Sequence, residues 1–254
     1  MMRFLLPIVL SFCLQFNTFA QSNHAAKGND AIFLEINLGY GSAVGGLQDR
    51  FGPHQSVGLG LSYEPARYHF PIGFKWSYLF GTSVKEDILL PYRTSDLGQL
   101  IGEDGFQTDV QLRQRAFNLH LFTGGIFPIG TQKNAKHGLK WSLGIGFLQH
   151  RIRIQDDSRS ASQINKAFSE GHDRLTNGVS LTGFLGYEFR SHSGKINFYT
   201  GIEPIWGFTQ SRRSYNYDTM ISEKGIGRDD VYLQFKIGWY LPFFLGNYGD
   251  KFDY

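Results

Sequence analysis

Hydrophobic and polar residues alternate with a period of two over most of the chain, and the alternation breaks and resumes to define eight segments. The stretch 229–244, DDVYLQFKIGWYLPFF, carries it most clearly. Val231, Leu233, Phe235, Ile237, Trp239 and Leu241 form one row, and Tyr232, Gln234, Lys236, Gly238 and Tyr240 form the other. A period of two marks a β-strand, whose successive side chains point to opposite faces. The same pattern predicts strands over 31–40 (AIFLEINLGY), 55–64 (QSVGLGLSYE), 68–80, 139–151, 179–189 and 198–208. A weaker one lies at 117–121, where Phe117, Leu119 and Leu121 oppose Asn118 and His120.

The connections alternate in length. Long polar loops at 41–54, 81–111, 152–177 and 210–228 follow the first, third, fifth and seventh strands, and short turns (EPAR, PIGTQKNAKHG, RSHSGK) follow the second, fourth and sixth. All the long loops therefore leave from one end. An even strand count, one apolar and one polar row, and loops of unequal length at the two ends predict an all-β fold, an eight-stranded antiparallel transmembrane β-barrel. Two alternatives stay open. A ten-stranded barrel would use a hairpin within 81–111, and a soluble sandwich or lipocalin-like barrel would turn the apolar row inward.

Composition narrows the choice. After the first twenty residues no window approaches eighteen uncharged apolar residues, so no spanning helix is expected and a closed barrel is the form left for a membrane protein. Residues 1–20 hold one arginine, an apolar stretch over 4–16 and Thr18-Phe19-Ala20 before Gln21, which reads as a cleaved secretory signal. Residues 21–254 are then a single barrel domain with a short C-terminal periplasmic tail. Cys13, the one cysteine, sits in LSFC, a poor lipoprotein box because Phe12 occupies a small-residue position. An exported chain with no disulfide framework suits the envelope of a Gram-negative bacterium. The formal charge of +3 drops by one with loss of Arg3, and such balance argues against nucleic acid as a partner.

The polar row gathers Glu35, Glu64, Lys75, His120, Lys140, Glu188, Glu203 and Lys236, interleaved with glycines such as Gly58, Gly60, Gly144 and Gly238. Eight strands enclose a space that side chains fill. These charges are expected to pair as a polar network that stiffens the lumen, with Lys236 in reach of Glu203 and, because the barrel closes, Glu35. An ion or proton path is the alternative. The four tryptophans all fall on the apolar row, Trp76 and Trp206 toward the long-loop end and Trp141 and Trp239 toward the short-turn end, as an aromatic girdle requires.

Two loop clusters were weighed for catalysis: Ser169, His172 and Asp173 in FSEGHDRLTNG, and His192 with Ser193 in RSHSGK. A histidine acts as general base only with a hydroxyl in hydrogen-bond reach. Neither spacing matches lipid A deacylases or palmitoyl transferases, so the expectation is loop residues that cap a turn and contact water, with a lipid-modifying enzyme as the alternative. His150, His172 and Asp173 lack a metal-ligand spacing. No catalytic residue, metal site or cofactor is predicted. In Ser211-Arg212-Arg213 the guanidinium groups suit lipopolysaccharide phosphates, a solvated loop being the other reading.

Residues 236–243, KIGWYLPF, resemble the C-terminal signal read by the outer-membrane barrel-assembly machinery, although the chain continues to Tyr254. GTSVKEDILL, TSDLGQLIGEDGFQTDVQLRQR, GFLQHRIRIQDD, EGHDRLTNG and NFYTGIEPIWGFTQSRR together resemble small outer-membrane β-barrel proteins of Bacteroidota, of the kind found alongside the type IX secretion and gliding apparatus. The resemblance implies an envelope component whose loops or periplasmic face contact envelope or secretion-system proteins. It brings no catalytic residues. The expected surroundings are outer-membrane lipids and lipopolysaccharide, with the barrel-assembly machinery as a partner during insertion. The resulting expectation is a structural or interaction component accessory to secretion or envelope assembly, with a small-solute channel as a further alternative.

Overall fold

The computed structural model describes residues 30–67, 70–94, 98–102, 104–129, 136–157, 161, 164, 166–190 and 197–245; the signal-like segment 1–20, Tyr68, His192 and Ser193 lie outside them. The chain order is β1 (Asp30–Val44), β2 (Pro53–Glu64), β3 (Ile72–Gly81), β4 (Leu100–Ile101), β5 (Gln107–Thr108), β6 (Val110–Pro128), β7 (Lys136–Asp156), a short helix α1 (Lys166–His172), β8 (Thr176–Arg190), β9 (Asn197–Ser211) and β10 (Gly227–Leu245). Eight of the strands close into a ring in the order β1-β10-β9-β8-β7-β6-β3-β2, every neighbour antiparallel. The ten-strand alternative is thereby corrected. The 81–111 connection does contain a hairpin, but β4 and β5 are two residues each and pair only with one another. A strand needs about 9–11 residues to cross a bilayer.

The faces settle what surrounds the ring. Leu38, Tyr40, Ile72, Leu121, Leu143, Leu185, Phe235 and Ile237 are exposed on the outside, Leu121 at 64 %, whereas Glu35, Lys75, Glu188 and Lys236 point inward and are buried. A soluble barrel would bury the apolar row, and a contiguous apolar girdle of this extent is not tolerated in water. Hydrocarbon is the medium that this exterior fits, and the closed ring leaves no unpaired strand edge to face it.

Two departures from the sequence pattern matter for function. The weak segment at 117–121 belongs to a strand of 19 residues, paired with one of 21. β3 pairs with β6 only as far as Gly81↔Gln114 and β8 with β7 only as far as His150↔Thr176, yet β6 and β7 stay paired to Val110↔Asp156. The β6–β7 hairpin therefore rises past its neighbours at the long-loop end. Polar residues on both of its faces there (VQLRQR) hide the period of two.

The second departure lies in the long connections, which are not simply polar. Leu47, Phe51, Ile88, Leu89, Leu100 and Ala161 fold inward and pack with Leu79, Ala116, Leu148, Ile152, Ile205 and Tyr232 from the strands. The long-loop half of the lumen is thus occupied by apolar side chains drawn partly from loops.

Candidate functional site

From the short-turn end upward, the lumen is a stack of paired charges. Lys140 Nζ lies 2.7 Å from Glu188 Oε2, and Arg190 bridges Glu188 and Glu64, the latter at 2.7 Å. The Tyr240 hydroxyl donates to Glu188 at 3.0 Å. One level higher Lys75 meets Glu35 at 2.9 Å, and the same carboxylate accepts from the Tyr199 hydroxyl and from Asn37 Nδ2 at 3.1 Å. Lys236 meets Glu203 at 2.7 Å and donates to Ser77 Oγ at 2.9 Å, and Gln234 joins Glu203 to Ser56. His120 Nδ1 lies 3.0 Å from Asn118 Nδ2, and the Asn118 amide is held in turn by Thr182 and Ser180.

Lys75, Lys140, Arg190 and Lys236 thus face Glu35, Glu64, Glu188 and Glu203, one cation for each carboxylate. Burying an ion without a partner costs several kcal/mol; here every ion has one, and Glu35, Glu188, Glu203 and Lys236 make further hydrogen bonds. Aromatic rings fill the gaps: Lys140 Nζ sits 4.6 Å from the Tyr199 ring and 4.4 Å from Tyr240. Gly238 makes this possible, because a Cβ there would come within 2.1 Å of the Tyr199 ring.

Glu35 takes Lys75 as its cation, two strands away on β3, and not Lys236 across the β1–β10 seam. Two members lie outside the charged row expected from the sequence. Arg190 opens the turn-like RSHSGK yet shares the inward parity of Glu188, and Tyr199, uncharged, stands on the polar row of β9 with Glu203. Higher still, His150 Nε2 lies 2.7 Å from Asp230 Oδ2, which also accepts from the Thr209 hydroxyl. Phe51 meets the His150 ring edge-on at 5.6 Å and marks the start of the apolar layer.

Above that layer, ion pairs tie the long connections to one another. Glu86 accepts from Arg50 and Arg174, both at 2.6 Å, Arg174 grips Asp218 with two bonds at 2.8 and 2.6 Å, and Arg213 grips Asp173 at 2.8 and 2.7 Å. Arg174 sits at φ 52°, a left-handed conformation that a bulky residue holds only when its surroundings fix it. Burial pushes the Glu86 carboxyl up, but Arg50 and Arg174 outweigh it and hold the group below its ordinary range. Asp218 follows the same course: burial raises it, and Arg174 brings it down further.

His172 and Asp173 belong to this cap and are buried at 1 % and 4 % exposure, which corrects the expectation that they contact water. His172 Nδ1 is 2.7 Å from the Phe168 carbonyl and Nε2 is 3.0 Å from the Tyr92 hydroxyl, so both ring nitrogens are engaged. The Ser169 hydroxyl is not among its partners. Among the described residues no cluster of three or more His, Cys, Asp or Glu side chains could hold a metal. Arg212 donates to Asn177 Oδ1.

On the outer wall Trp206 and Trp239 are 49 % and 42 % exposed, and Trp141 is half-buried against Phe127. Trp206 pairs with Leu181 and Val231 toward the long loops; Trp141 opposes Gly125 and Leu185, and Trp239 opposes Ile36 and Phe198, toward the short turns. Trp76 lies midway along β3 in a stacked row with Tyr78 and Phe80.

No protein-family model matches the chain, and no curated protein matches it. Solved structures similar to it include Neisserial surface protein A, at 8 % identity and a TM-score of 0.45, over 84 % of this chain and 99 % of the other. The attachment invasion locus protein Ail of Yersinia pestis, in complex with the heparin analogue sucrose octasulfate, matches at 12 % identity and 0.39, over 85 % and 99 %. The outer membrane protein OprG of Pseudomonas aeruginosa matches at 11 % identity and 0.35, over 86 % and 97 %.

Proposed function

We propose that this chain is an outer-membrane barrel with a sealed lumen, working as a structural or protein-interaction component of the envelope through the outer surface of its tied loop cap. The observation that carries the reading is the succession of buried described side chains along the lumen, from the Arg190–Glu64 pair at the short-turn end through the apolar layer to Arg50, Glu86, Arg174 and Asp218. Such filling favours neither a pore nor an open active site. The last long connection offers apolar side chains outward among polar ones: Tyr217, Met220, Ile221 and Ile226 are 50, 69, 58 and 53 % exposed, beside exposed Thr219, Ser222 and Lys224. Apolar side chains on loops held by a rigid scaffold are a common form of contact surface.

The finer reading, an accessory of protein secretion or envelope assembly exported through a cleaved signal, is supported by the resemblance to Bacteroidota barrels and by the character of residues 1–20. Recording from single barrels in a planar bilayer tests the seal: no stable conductance is expected, and porin-sized steps would overturn it. Purification from native membranes, with Met220→Asp/Ile221→Asp as the comparison, tests the surface. A partner retained by the wild type and lost by the variant is expected. Recovery of the barrel alone, with altered lipid A in a deletion strain, would replace this reading with a lipid-modifying enzyme.

A further inference from the structure

Where the β6–β7 hairpin rises past its neighbours, four arginines lie on its outward face. Arg113 is directly opposite Arg153, and Arg115 directly opposite Arg151. Like charges facing each other across strands destabilise a sheet, and this square contains two such pairs side by side. Among the described residues, none of the four pairs with a carboxylate. Arg113 donates to Gln111 Oε1, Arg115 donates to the Gln114 carbonyl at 2.8 Å, and Arg151 and Arg153 have no hydrogen-bond partner among those residues. The acids nearest along these strands, Asp109, Asp156 and Asp157, stand at the far tip: Asp109 and Asp157 accept from Gln111 and Gln155, and Asp156 accepts from the Ala161 backbone N–H.

The square also has a defined height. Phe117 and Phe147, outward on the same two strands with ring centroids 6.0 Å apart, end the apolar row of this hairpin; on β3, Tyr78 lies opposite Phe117 and Phe80 opposite Arg115. Arg115 stands two residues before Phe117, about 7 Å nearer the long-loop end at roughly 3.3 Å per residue. That is the level of lipid headgroups in the leaflet on the long-loop side.

We propose that this outward face of the β6–β7 hairpin is a binding site for a phosphomonoester on the headgroup of an outer-leaflet lipid, a dianion that the phosphodiester of phosphatidylcholine does not supply, with Arg113, Arg115, Arg151 and Arg153 around it. The site rests on the membrane placement given above and adds a ligand class and a location to it. Guanidinium groups grip phosphate oxygens two at a time, and a bound dianion turns two repulsive cross-strand pairs into attractive ones. A groove of about 660 Å³ beside Arg153, whose polar lining is Gln155, Asp156, Asp157 and Ser169, leaves space for the sugar that such a headgroup carries; its two carboxylates suit sugar hydroxyls and keep the phosphate on the arginine square. Arg212 and Arg213, the basic pair evident in the sequence, are committed to Asn177 and Asp173.

The test is refolding of the full barrel into phosphatidylcholine vesicles with no addition, with bisphosphorylated lipid A, or with dephosphorylated lipid A. The urea midpoint is read for the wild type, for Arg113→Gln/Arg115→Gln/Arg151→Gln/Arg153→Gln, and for Arg151→Gln/Arg153→Gln. Phosphorylated lipid A should raise the wild-type midpoint over the dephosphorylated form. The fourfold variant should lose that increment, and its affinity for lipid A should be weaker by about ten-fold or more. In phosphatidylcholine alone it should be at least as stable as the wild type, since repulsion has been removed. If the fourfold variant does not refold, the double variant decides by losing part of the increment.

An increment that survives in both variants, or is missing in the wild type, overturns the site while leaving the membrane reading intact. The same increment from excess inorganic phosphate overturns the lipid as the source. Failure of the wild type to insert at all overturns both.

Discussion

In the short-turn half of the lumen, Lys140, Arg190, Lys75 and Lys236 are each held by a carboxylate that sits, as they do, on a strand. In the long-loop half, Leu79, Leu148 and Ile205 from the strands meet Leu47, Phe51, Ile88 and Leu89 from the connections. Both halves lie within one wall of continuous hydrogen bonding. In the first, register alone fixes where each partner stands, so the network is as rigid as the ring and is lost only with it. In the second, half of the packing surface is attached through loops, and it opens whenever they lift. Regions with loop-borne contacts open locally at lower free energy than the element ladders beneath them.

The largest expected effect belongs to the strand-borne half. Lys236→Met keeps most of the volume but leaves Glu203 buried and unpaired, and breaking a buried pair in this way costs about 3–5 kcal/mol. The urea midpoint of the refolded barrel in detergent should drop accordingly. A midpoint unchanged within error would mean that Glu203 has access to water and that the rigid half is not dry.

Leu89→Ala probes the other half. It removes a fully buried side chain at a local cost of about 2–5 kcal/mol. That cost should appear as faster amide exchange in residues 82–109, with the barrel's own midpoint nearly constant. If midpoint and exchange fall together, the cap and the wall unfold as one unit and the contrast between the halves disappears. Gly238→Ala is smaller, about 1–3 kcal/mol from overpacking against Tyr199, and reads out in the midpoint. The companion change Tyr199→Phe should relieve little of it, because ring carbons at 2.1 and 2.3 Å from the Cβ remain when the hydroxyl at 2.6 Å is removed.

The smallest effect is the response of the cap to acid. Glu86 and Asp218 are held below their unfolded values, so the tied cap binds fewer protons than the released one. Their contribution is fully present above the ordinary carboxylate range and is lost as pH falls through their lowered values. Exchange of residues 82–109, corrected for its intrinsic pH dependence, should therefore accelerate below about pH 4 while the strands stay protected. Glu86→Gln should remove much of that acid sensitivity.

The ring was readable because lipid and a filled lumen impose opposite demands on alternate residues. Leu233 and Lys236 advertise their faces in any strand with a period of two. The pairing inside was less readable. Glu35 reaches Lys75 and Tyr199 through the stagger of the strands, which no single strand records, and Arg190 resembles part of a turn because it ends β8 and runs directly into the polar stretch SHSGK. The cap was hidden for a different reason. Ile88 and Leu89 lie in a segment with no period at all, where an apolar residue carries no sign of whether it faces water or a core. His172 and Asp173 were noticed as a cluster, but only the fold reveals that Tyr92, Phe168 and Arg213 surround them.

The pairing of β1 with β10 runs from Asp30↔Leu245 to Val44↔Val231 and joins the two ends of the described chain. In time, this seam can form only after the last strand has been delivered, and bringing such distant segments together is slow because the entropy of the intervening chain must be given up first. Until then β1 and β10 are open edges, each offering unpaired backbone groups to any other strand nearby. Glu35 rides on β1, and its bond from Tyr199 spans 164 residues. That contact, like the seam, belongs to the final step of assembly. A chain stopped short of residue 227 would present two exposed edges and leave Glu203 without Lys236 at once, and its fate would be capture by another strand rather than a smaller barrel.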